Sequence, residues 1–365
     1  MNLFESEKER YTKEHLSARE AQRQAEYIAW APVIFQVSRL MIKFGILDML
    51  RDSDSGLTLA ELQENTGLSR YALKILLEAS LSAGTVLVNP DTDRYSLSKT
   101  GWFLLCDPAT RVNVDFNHDV NYRGLFHLEE ALREGRPAGL ATLGNWPTIY
   151  EGLSRLDPQV QRSWFGFDHF YSDNSFDTAL DTVFAAHPKT VMDVGGNTGR
   201  FALRCVDYDS EVRVTIVDLP GQIGMMRDNI AGKPGADRIE GFATNILAPG
   251  AALPQGEWDA IWMSQFLDCF SEDEAEGILR LAASAMSADT TLYIMETFWD
   301  RQRYEPASLC LTMTSVYFTA MANGNSKMYH SDDMAAIIGR AGLHITATHD
   351  GIGQGHTILE VKKRQ

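Results

Sequence analysis

The segment Val191-Met192-Asp193-Val194-Gly195-Gly196-Asn197-Thr198-Gly199 joins an apolar run to a turn that contains three glycines. The run predicts a β-strand, and the residues after the turn predict a helix. Glycines at such a junction allow a tight turn and let backbone N–H groups approach a ligand closely. A tight connection without a ligand is the alternative. We favour a ligand site, because the next predicted strand also ends in an acidic residue, Asp218.

Strand-like and helical segments alternate after residue 188. The strand-like segments are 190–195, 213–219, 238–246, 258–266, 291–298, 343–350 and 356–363. Helical stretches separate the first five, which is typical of parallel strands joined by crossover helices. We therefore predict an α/β domain at 186–365, built on a Rossmann-like, doubly wound sheet.

The chemistry of the glycine turn favours one kind of cofactor. The turn reads Asp-x-Gly-Gly-x-x-Gly, whereas dinucleotide sites carry Gly-x-Gly-x-x-Gly. Asp193 at its head would repel a pyrophosphate but would tolerate a positively charged ligand. An acid at the end of the second strand, here Asp218, suits hydrogen bonding to ribose hydroxyls. The pattern therefore indicates a sulfonium cofactor rather than a nicotinamide dinucleotide.

Residues 1–106 predict a separate, mainly helical domain. Two helices and a β-hairpin follow one another between residues 59 and 98, in the order of a winged helix. Such a module either binds DNA through its second helix or serves as a structural or dimerisation unit. The second helix carries only Arg70 and Lys74 as basic residues. A DNA-reading helix usually presents a basic face, so we favour the structural role.

An apolar stripe at helical spacing precedes the winged-helix segment. Its members are Val33, Ile34, Val37, Leu40, Met41, Phe44 and Leu47. The stripe is wide enough to pack on more than one neighbour. We therefore predict a homodimer formed through the N-terminal domain.

The stretch 107–185 is helical and rich in aromatic residues, namely Phe116, Tyr122, Phe126, Trp146, Tyr150, Trp164, Phe165, Phe167, Phe170 and Tyr171. Scattered aromatics usually belong to a core. Beside a cofactor domain they also suit the wall of an apolar substrate pocket. We predict that this stretch is a helical linker that contributes to such a pocket.

Composition describes a folded, acidic protein. The 365 residues are 44% hydrophobic and 22% charged, and the length favours two domains. A net charge of −16 disfavours nucleic-acid binding. We see no membrane span, no signal-peptide core and no metal or disulfide motif among the four scattered cysteines. We expect a cytoplasmic protein without a metal that binds neither nucleic acid nor membrane.

Several segments together resemble the class I S-adenosylmethionine-dependent methyltransferases, specifically the small-molecule O-methyltransferases with an N-terminal winged-helix dimerisation domain. The sequence DVGGNTG at 193–199 is similar to DVGGGTG of that family, and VDLP at 217–220 matches its second motif. The segment 258–279 looks like the family stretch around LHDW, and 292–298 looks like the strand that follows it. The resemblance extends from about residue 30 to residue 360.

The resemblance implies a set of residues that bind S-adenosylmethionine. The set is Asp193, Gly195, Gly196, Asn197, Gly199, Asp218, Leu219, Asn245, Ile246, Ser264 and Gln265. The three glycines would form the turn under the methionine part of the cofactor. Asp218 would bind the ribose, and Leu219 would lie against the adenine. Asn245 and Ile246 would lie beside the adenine, and the last two residues of the set near the amino acid end.

The sequence departs from the family at the catalytic base. Asp268 stands at the position of the family's histidine, and Cys269 at the aspartate that follows it. Glu296 matches a flanking glutamate of the family, and His169 lies where the family usually has a methionine. Asp268, Glu296 and His169 are therefore the candidate proton acceptors. Each has a structural alternative: a helix cap, an ion pair with Arg301, and a core position, respectively.

These features predict an S-adenosylmethionine-dependent methyltransferase that acts on a small aromatic or conjugated apolar molecule. Transfer would proceed by direct displacement at the sulfonium carbon. We favour oxygen as the acceptor, because the family mostly methylates oxygen. A C-methyltransferase that acts on an activated ring carbon is the first alternative, because the base is altered. A degenerate cofactor-binding or regulatory protein is the second.

Overall fold

The computed structural model describes residue 8 and residues 11–364, apart from the side chains of Ser172 and Asp173. The predicted domains also include residues 1–7, 9, 10 and 365, which lie outside the described residues. The chain divides into two compact units. One is Lys13–Asp119, and the other combines Val120–Gln365 with Met1–Thr12. We call them the N-terminal unit and the catalytic-fold unit.

The N-terminal unit is mainly helical, as predicted. Its elements are α1 (Ala18–Lys43), α2 (Ile46–Arg51), α3 (Leu59–Thr66), α4 (Arg70–Ala83), β1 (Val86–Asn89), β2 (Arg94–Leu97), α5 (Lys99–Cys106) and α6 (Pro108–Phe116). The Ser69 hydroxyl caps α4 by accepting the N–H of Ala72 at 3.1 Å. The strands β1 and β2 pair antiparallel, so the expected helix–helix–hairpin order is present.

Short helical elements fill residues 117–184. They are a π-helical turn at Asn117–Asn121, 3₁₀ turns at Gly124–His127, Ala138–Thr142 and Leu153–Arg155, and the helices α7 (Leu128–Glu134), α8 (Ile149–Gly152), α9 (Pro158–Asp173) and α10 (Phe176–Phe184). The helix α9 carries half of the aromatic residues named above. It also carries His169, one of the three candidate bases.

Seven strands form the large sheet of the catalytic-fold unit. They are β3 (Thr190–Val194), β4 (Arg213–Asp218), β5 (Ile239–Ala243), β6 (Ala260–Ser264), β7 (Thr291–Glu296), β8 (Leu343–Ile352) and β9 (His356–Lys363). Their order across the sheet is β5-β4-β3-β6-β7-β9-β8. The first five run parallel, and β9 pairs antiparallel with both β7 and β8. This confirms the predicted α/β fold.

Helices cover both faces of the sheet. Besides α10, they are α11 (Arg200–Tyr208), α12 (Pro220–Ile230), α13 (Glu272–Ala285) and α15 (Ser331–Arg340), and α14 (Glu305–Tyr317) lies between the last two in the chain. Apolar residues of α13 and α15 share one core cluster with Met192 and Val194, whereas α10, α11 and α12 share another with Val191. Strands covered on both faces are apolar along their whole length. Within the described residues, no helix has the length and apolar character needed to cross a membrane.

The strand order creates a crevice at the carboxyl edge of the sheet. The chain proceeds outward from β3 to β4 and β5, then returns to form β6 on the other side of β3. Ligands of open α/β sheets bind where the chain direction reverses in this way. The reversal lies between β3 and β6, beside the glycine turn.

Candidate active site

The turn after β3 is shaped by glycines. Gly195 has φ +81°, and a Cβ atom there would overlap the ring of Phe266. At Gly196 a Cβ atom would lie 2.6 Å from Asp193 Oδ2. Only glycine accommodates both the left-handed backbone and these close approaches. The turn therefore presents bare backbone, the arrangement that lets N–H groups contact a ligand.

Asp218 ties this turn to the end of β4. Its Oδ2 accepts the N–H of Asn197 at 2.8 Å, and its Oδ1 accepts the N–H of Leu219 at 2.7 Å. Asn197 has φ +48°, a left-handed conformation that the bond to Asp218 helps to hold. Burial raises the pKa of Asp218, and the two backbone hydrogen bonds oppose that rise. A carboxylate has further lone pairs, so it can also accept hydroxyl donors.

Asp193 is a buried carboxyl group without a positive partner. Its side chain is 2% exposed, and no described residue donates a hydrogen bond to Oδ2. Burial, with a smaller contribution from the charge of Asp218, raises the pKa of Asp193 to about 8. A cation bound at this turn would balance the negative charge that Asp193 carries when it is ionised. The residue thus fits the predicted sulfonium cofactor.

The end of β6 offers a second acceptor that lacks a donor. Ser264 is the last residue of the strand, and Gln265 follows with φ +46°. The N–H of Gln265 donates to the carbonyl of Met295 at 2.9 Å, whereas its Oε1 is buried with no donor among the described residues. Backbone strain and an unsatisfied buried acceptor both occur where a ligand completes a site.

The residues predicted beside the adenine lie next to the end of β4. The N–H of Thr244 donates to the carbonyl of Asp218 at 2.8 Å, which holds the segment after β5 in place. Asn245 is exposed, and its Oδ1 accepts the N–H of Leu247 at 3.0 Å. Ile246 packs against the core cluster of α13 and α15. The structure therefore brings both predicted positions to the same edge of the sheet as Asp218.

Two further carboxyl groups, Asp268 and Glu296, form a buried pair. Asp268 lies in the 3₁₀ turn Leu267–Cys269 and is 4% exposed, and Glu296 ends β7 and is 2% exposed. Glu296 Oε1 accepts the N–H groups of Phe266 at 3.1 Å and Leu267 at 2.8 Å. No described residue donates to its Oε2.

Burial raises the pKa of both members of this pair. The pKa of Asp268 rises to about 6. The pKa of Glu296 rises well above its ordinary value, through burial and then through the charge of Asp268. Two carboxyl groups that interact so closely titrate as one system, so the proton affinity of each depends on the charge of the other. Because no described residue donates to Glu296 Oε2, burial favours the protonated form of Glu296.

Phenol and thiol groups surround Asp268. The Cys269 thiol donates to Asp268 Oδ1 at 3.5 Å. Trp164 of α9 donates from Nε1 to the hydroxyl oxygen of Tyr317 at 2.8 Å. Burial raises the pKa of Tyr317 and of Tyr150, and the charge of Asp268 is among the smaller causes for both. These aromatic side chains therefore lie near the carboxyl pair and remain neutral phenols.

His169 lies at a different part of the site. Its Nδ1 is 2.9 Å from Nη1 of Arg200, the first residue of α11 after the glycine turn, and its ring is 5.4 Å from that of Phe165. An arginine donates to a neutral imidazole nitrogen, so Nδ1 acts as an acceptor in this contact. The structure thus brings Asp268 and Glu296 together, and it places His169 beside the start of α11.

Two residues near Asp268 were missed by the sequence analysis. Tyr317 ends α14, and Asn323 follows the π-helical turn Phe318–Ala322 and donates from Nδ2 to the carbonyl of Cys269 at 2.6 Å. No motif surrounds either residue. A π-helical turn often marks a functional site, but it is not visible in a hydrophobic pattern.

Comparison with known families identifies the chain. A model of the Dimerisation2-like domain matches residues 22–95, and a model of the O-methyltransferase domain matches residues 127–344, more than half of the chain. The chain belongs to the O-methyltransferase family. Membership of that family confirms the predicted methyltransferase and its cofactor, S-adenosylmethionine.

Curated relatives and solved structures agree with this family. The demethylspheroidene O-methyltransferase of Rhodobacter capsulatus is 26% identical over 300 residues, covering 80% of this chain and 70% of that protein. The bacteriochlorophyllide d C-20 methyltransferase of Chlorobaculum tepidum is 30% identical over 245 residues, covering 66% and 69%. For three of the curated relatives, the match covers 52%, 70% and 84% of the relative's own length.

One solved structure illustrates the shared fold. An O-methyltransferase from neocarzinostatin biosynthesis, in complex with S-adenosylmethionine and 2-hydroxy-5-methyl naphthoic acid, has a TM-score of 0.66 against this chain. The two are 19% identical, and the match covers 90% of this chain and 96% of that chain. The agreement over nearly the whole chain confirms the predicted fold.

Proposed function

We propose that this protein transfers the methyl group of S-adenosylmethionine to a hydroxyl oxygen of a small aromatic or conjugated molecule by direct displacement. The observation that carries the proposal is the buried pair of Asp268 and Glu296 near the glycine turn. The side chains of Tyr150, Trp164 and Tyr317 supply apolar surface around the pair. Within the predicted pocket segment 107–185, α8 and α9 contribute Tyr150 and Trp164.

The cofactor would lie across the carboxyl ends of β4, β3 and β6. Bare backbone at Gly195 and Gly196 suits its methionine part, and Gln265 Oε1 suits the amino group. Asp218 would accept ribose hydroxyls in addition to its two backbone donors. The bound cofactor supplies an electrophilic methyl carbon beside a positive charge, which the carboxyl group of Asp193 would offset.

Asp268 would accept the proton of the substrate hydroxyl. Its pKa of about 6 makes it a stronger base than an exposed aspartate, which is ionised near pKa ~3.9. Efficient general bases have a pKa close to the working pH. Glu296, held by the N–H groups of Phe266 and Leu267, would keep its own proton and fix the charge on Asp268. The acceptor would therefore lie within hydrogen-bonding reach of Asp268.

Substitution of the pair tests this mechanism. With a competent phenol, Asp268→Asn should lower kcat by about 10²-fold or more, the usual scale for general base catalysis. Glu296→Gln imitates the protonated glutamate and should lower kcat much less than Asp268→Asn does, and His169→Phe should have little effect. The exposed carboxylate of Asp228 on α12 provides a matched control, Asp228→Asn. Near-normal kcat in both pair variants would contradict the proposal.

A carbon acceptor is the second candidate. Asp268 replaces the histidine expected at the base, and an activated ring carbon loses its proton only after the methyl group has been transferred. One relative is named as a C-20 methyltransferase. Mass spectrometry and NMR of the product distinguish the two cases, because an O-methyl and a C-methyl group differ in chemical shift. A C-methylated product would overturn the preference for oxygen.

The N-terminal unit would form a homodimer, in line with its match to the Dimerisation2-like domain and with its winged-helix order of elements. Three apolar side chains of α1 are exposed, Ile28 at 69%, Trp30 at 59% and Val33 at 51%. Burying such a surface between two copies would stabilise the pair. Light scattering should give twice the chain mass, and Trp30→Glu should shift it to the mass of one chain. A wild-type monomer would refute the assembly.

We also place the protein in the cytoplasm. None of the described cysteines, which are Cys106, Cys205, Cys269 and Cys310, forms a disulfide. Free thiols persist in a reducing compartment, whereas secreted proteins tend to pair them. Cell fractionation should recover the protein with all four thiols reactive after unfolding, and recovery in an oxidised form would contradict the assignment.

A further inference from the structure

The carboxyl edge of the sheet collects four acidic side chains. Asp218 ends β4, Asp193 precedes the turn after β3, Asp268 follows β6 and Glu296 ends β7. These strands are consecutive neighbours in the sheet. The last three residues are 2–4% exposed. This region can carry three negative charges out of contact with water, beside the partly exposed Asp218.

Among the described residues, no lysine, arginine or histidine balances these carboxyl groups. Within the described residues, Asp193, Asp268 and Glu296 form no ion pair with a lysine, arginine or histidine. The titratable groups that face Asp193 are Asp218 and Cys205. Those that face the pair of Asp268 and Glu296 are Cys269, Tyr150, Tyr317 and Tyr329. None of these groups is a cation. Arg200, at the start of α11, donates to His169. Balance therefore requires bound protons or an external cation.

The hydrogen bonding shows where protons are held. Asp193 Oδ2 and Glu296 Oε2 are both buried and accept no hydrogen bond from a described residue. An ionised oxygen in that position would be strongly disfavoured, whereas a protonated one would not. Burial raises the pKa of Asp193 to about 8 and that of Glu296 well above its ordinary value. In the ligand-free protein, burial without a hydrogen-bond donor therefore favours the protonated form of both groups.

The cluster lies directly behind the glycine turn. The ring of Phe266 occupies the space that a Cβ atom on Gly195 would take. The N–H of the same residue donates to Glu296 Oε1 at 3.1 Å. One side chain thus separates the turn from the carboxyl pair, and Asp193 Oδ2 lies beside Gly196 at the turn itself. A positive charge bound at the turn would act on all three carboxyl groups.

We propose that the cationic methyl donor binds with release of a proton from the cluster of Asp193, Asp268 and Glu296, and that the demethylated product binds without this release. The inference rests on the proposed function, because it needs S-adenosylmethionine at this turn. An opposite charge within about 4–6 Å favours the ionised form of a carboxyl group. S-adenosylhomocysteine has no sulfonium charge and would leave the proton in place.

This difference would couple methyl transfer to proton uptake. While the donor is bound, the cluster has lost a proton and is ready to accept one from the substrate hydroxyl. When the methyl group leaves sulfur and forms its bond to oxygen, the sulfonium charge is lost. The affinity of the cluster for a proton then rises, so the proton taken from the hydroxyl is retained. This uptake restores the original charge of the cluster, so the product leaves without a further change in protonation.

Calorimetry in buffers of different ionisation enthalpy counts such protons without any substrate. We would titrate the full-length protein at pH 7 in phosphate and in Tris, with S-adenosylmethionine, S-adenosylhomocysteine and sinefungin. Sinefungin carries a protonated amine near the position of the sulfonium. Binding of S-adenosylmethionine or of sinefungin should release about one proton, and binding of S-adenosylhomocysteine should release about none. The ratio of the two cofactor Kd values should then change by up to about tenfold per pH unit.

Substitutions locate the proton and decide the inference. Asp193→Asn, Asp268→Asn or Glu296→Gln should reduce the difference in proton release between donor and product. Asp228→Asn, at an exposed position of α12, should preserve this difference. Equal proton counts for donor and product in the wild type would overturn the inference. A difference that persists undiminished in all three variants would also overturn it. Failure of both molecules to bind would instead refute the proposed function.

Discussion

Replacing Asp193 with asparagine is expected to stabilise the ligand-free protein near neutral pH. Asp193 is 2% exposed, and burial followed by the charge of Asp218 raises its pKa from 3.8 to about 8. The unfolded chain ionises this group at its ordinary pKa, whereas the folded chain favours the protonated form. Its contribution to stability is therefore complete below pH 3.8 and is lost as the pH rises to about 8.

The size of the effect follows from this pKa shift. Each pKa unit corresponds to about 1.4 kcal/mol, so a rise of about four units amounts to roughly 5 kcal/mol at pH 8. Asparagine keeps the shape of the side chain and cannot ionise. Its amide N–H group would replace Oδ2, which has no hydrogen-bond partner, and an unpaired buried donor costs about 1–3 kcal/mol. The net gain is about 2–4 kcal/mol at pH 8.

Urea unfolding of the ligand-free protein measures this gain. We would compare wild type, Asp193→Asn and the exposed control Asp228→Asn from about pH 5 to about pH 8.5. The difference between Asp193→Asn and wild type should grow with pH, by up to about 1.4 kcal/mol per unit. The control should show no such trend. A difference that is independent of pH, or a less stable Asp193→Asn protein at pH 8, would refute a protonated, buried Asp193.

Three further predictions concern the cofactor site and the core. Asp218→Ala should weaken binding of S-adenosylhomocysteine by about 1–3 kcal/mol in calorimetry, because buried donors lose their acceptor, and unchanged affinity would contradict its placement. In urea unfolding, Gly195→Ala should destabilise the protein by more than Gly232→Ala does. Both glycines have positive φ, but of the two only Gly195 faces Phe266. Equal losses of stability would argue against that contact. Burial lowers the pKa of His356 to about 4. The wild-type protein should therefore lose about 3 kcal/mol of stability as the pH falls from 6.5 to about 4, and His356→Gln should lose less. The same loss in both proteins would contradict a buried, neutral His356.

The sequence alone was enough to predict the local elements and the glycine turn that we propose as the cofactor site. Apolar runs of strand length, separated by helical stretches, lie within a few residues of the observed strands β3 to β7. The Ser69 cap of α4 is likewise present. The turn at 193–199 and the acid at Asp218 were visible because short-range steric and hydrogen-bonding rules link these residue types to that backbone. Such signals depend only on neighbours along the chain.

Only the tertiary structure decided how distant segments meet. Local periodicity does not contain the strand order, in which β9 inserts between β7 and β8, because pairing depends on packing between segments far apart in the chain. The same holds for the pairing of Asp268 with Glu296 and for the placement of Tyr317 near them. Their raised pKa values arise from burial, which exists only after the helices cover the sheet. The sequence could thus name Asp268 and Glu296 as candidates, whereas folding made them one buried, proton-sharing pair.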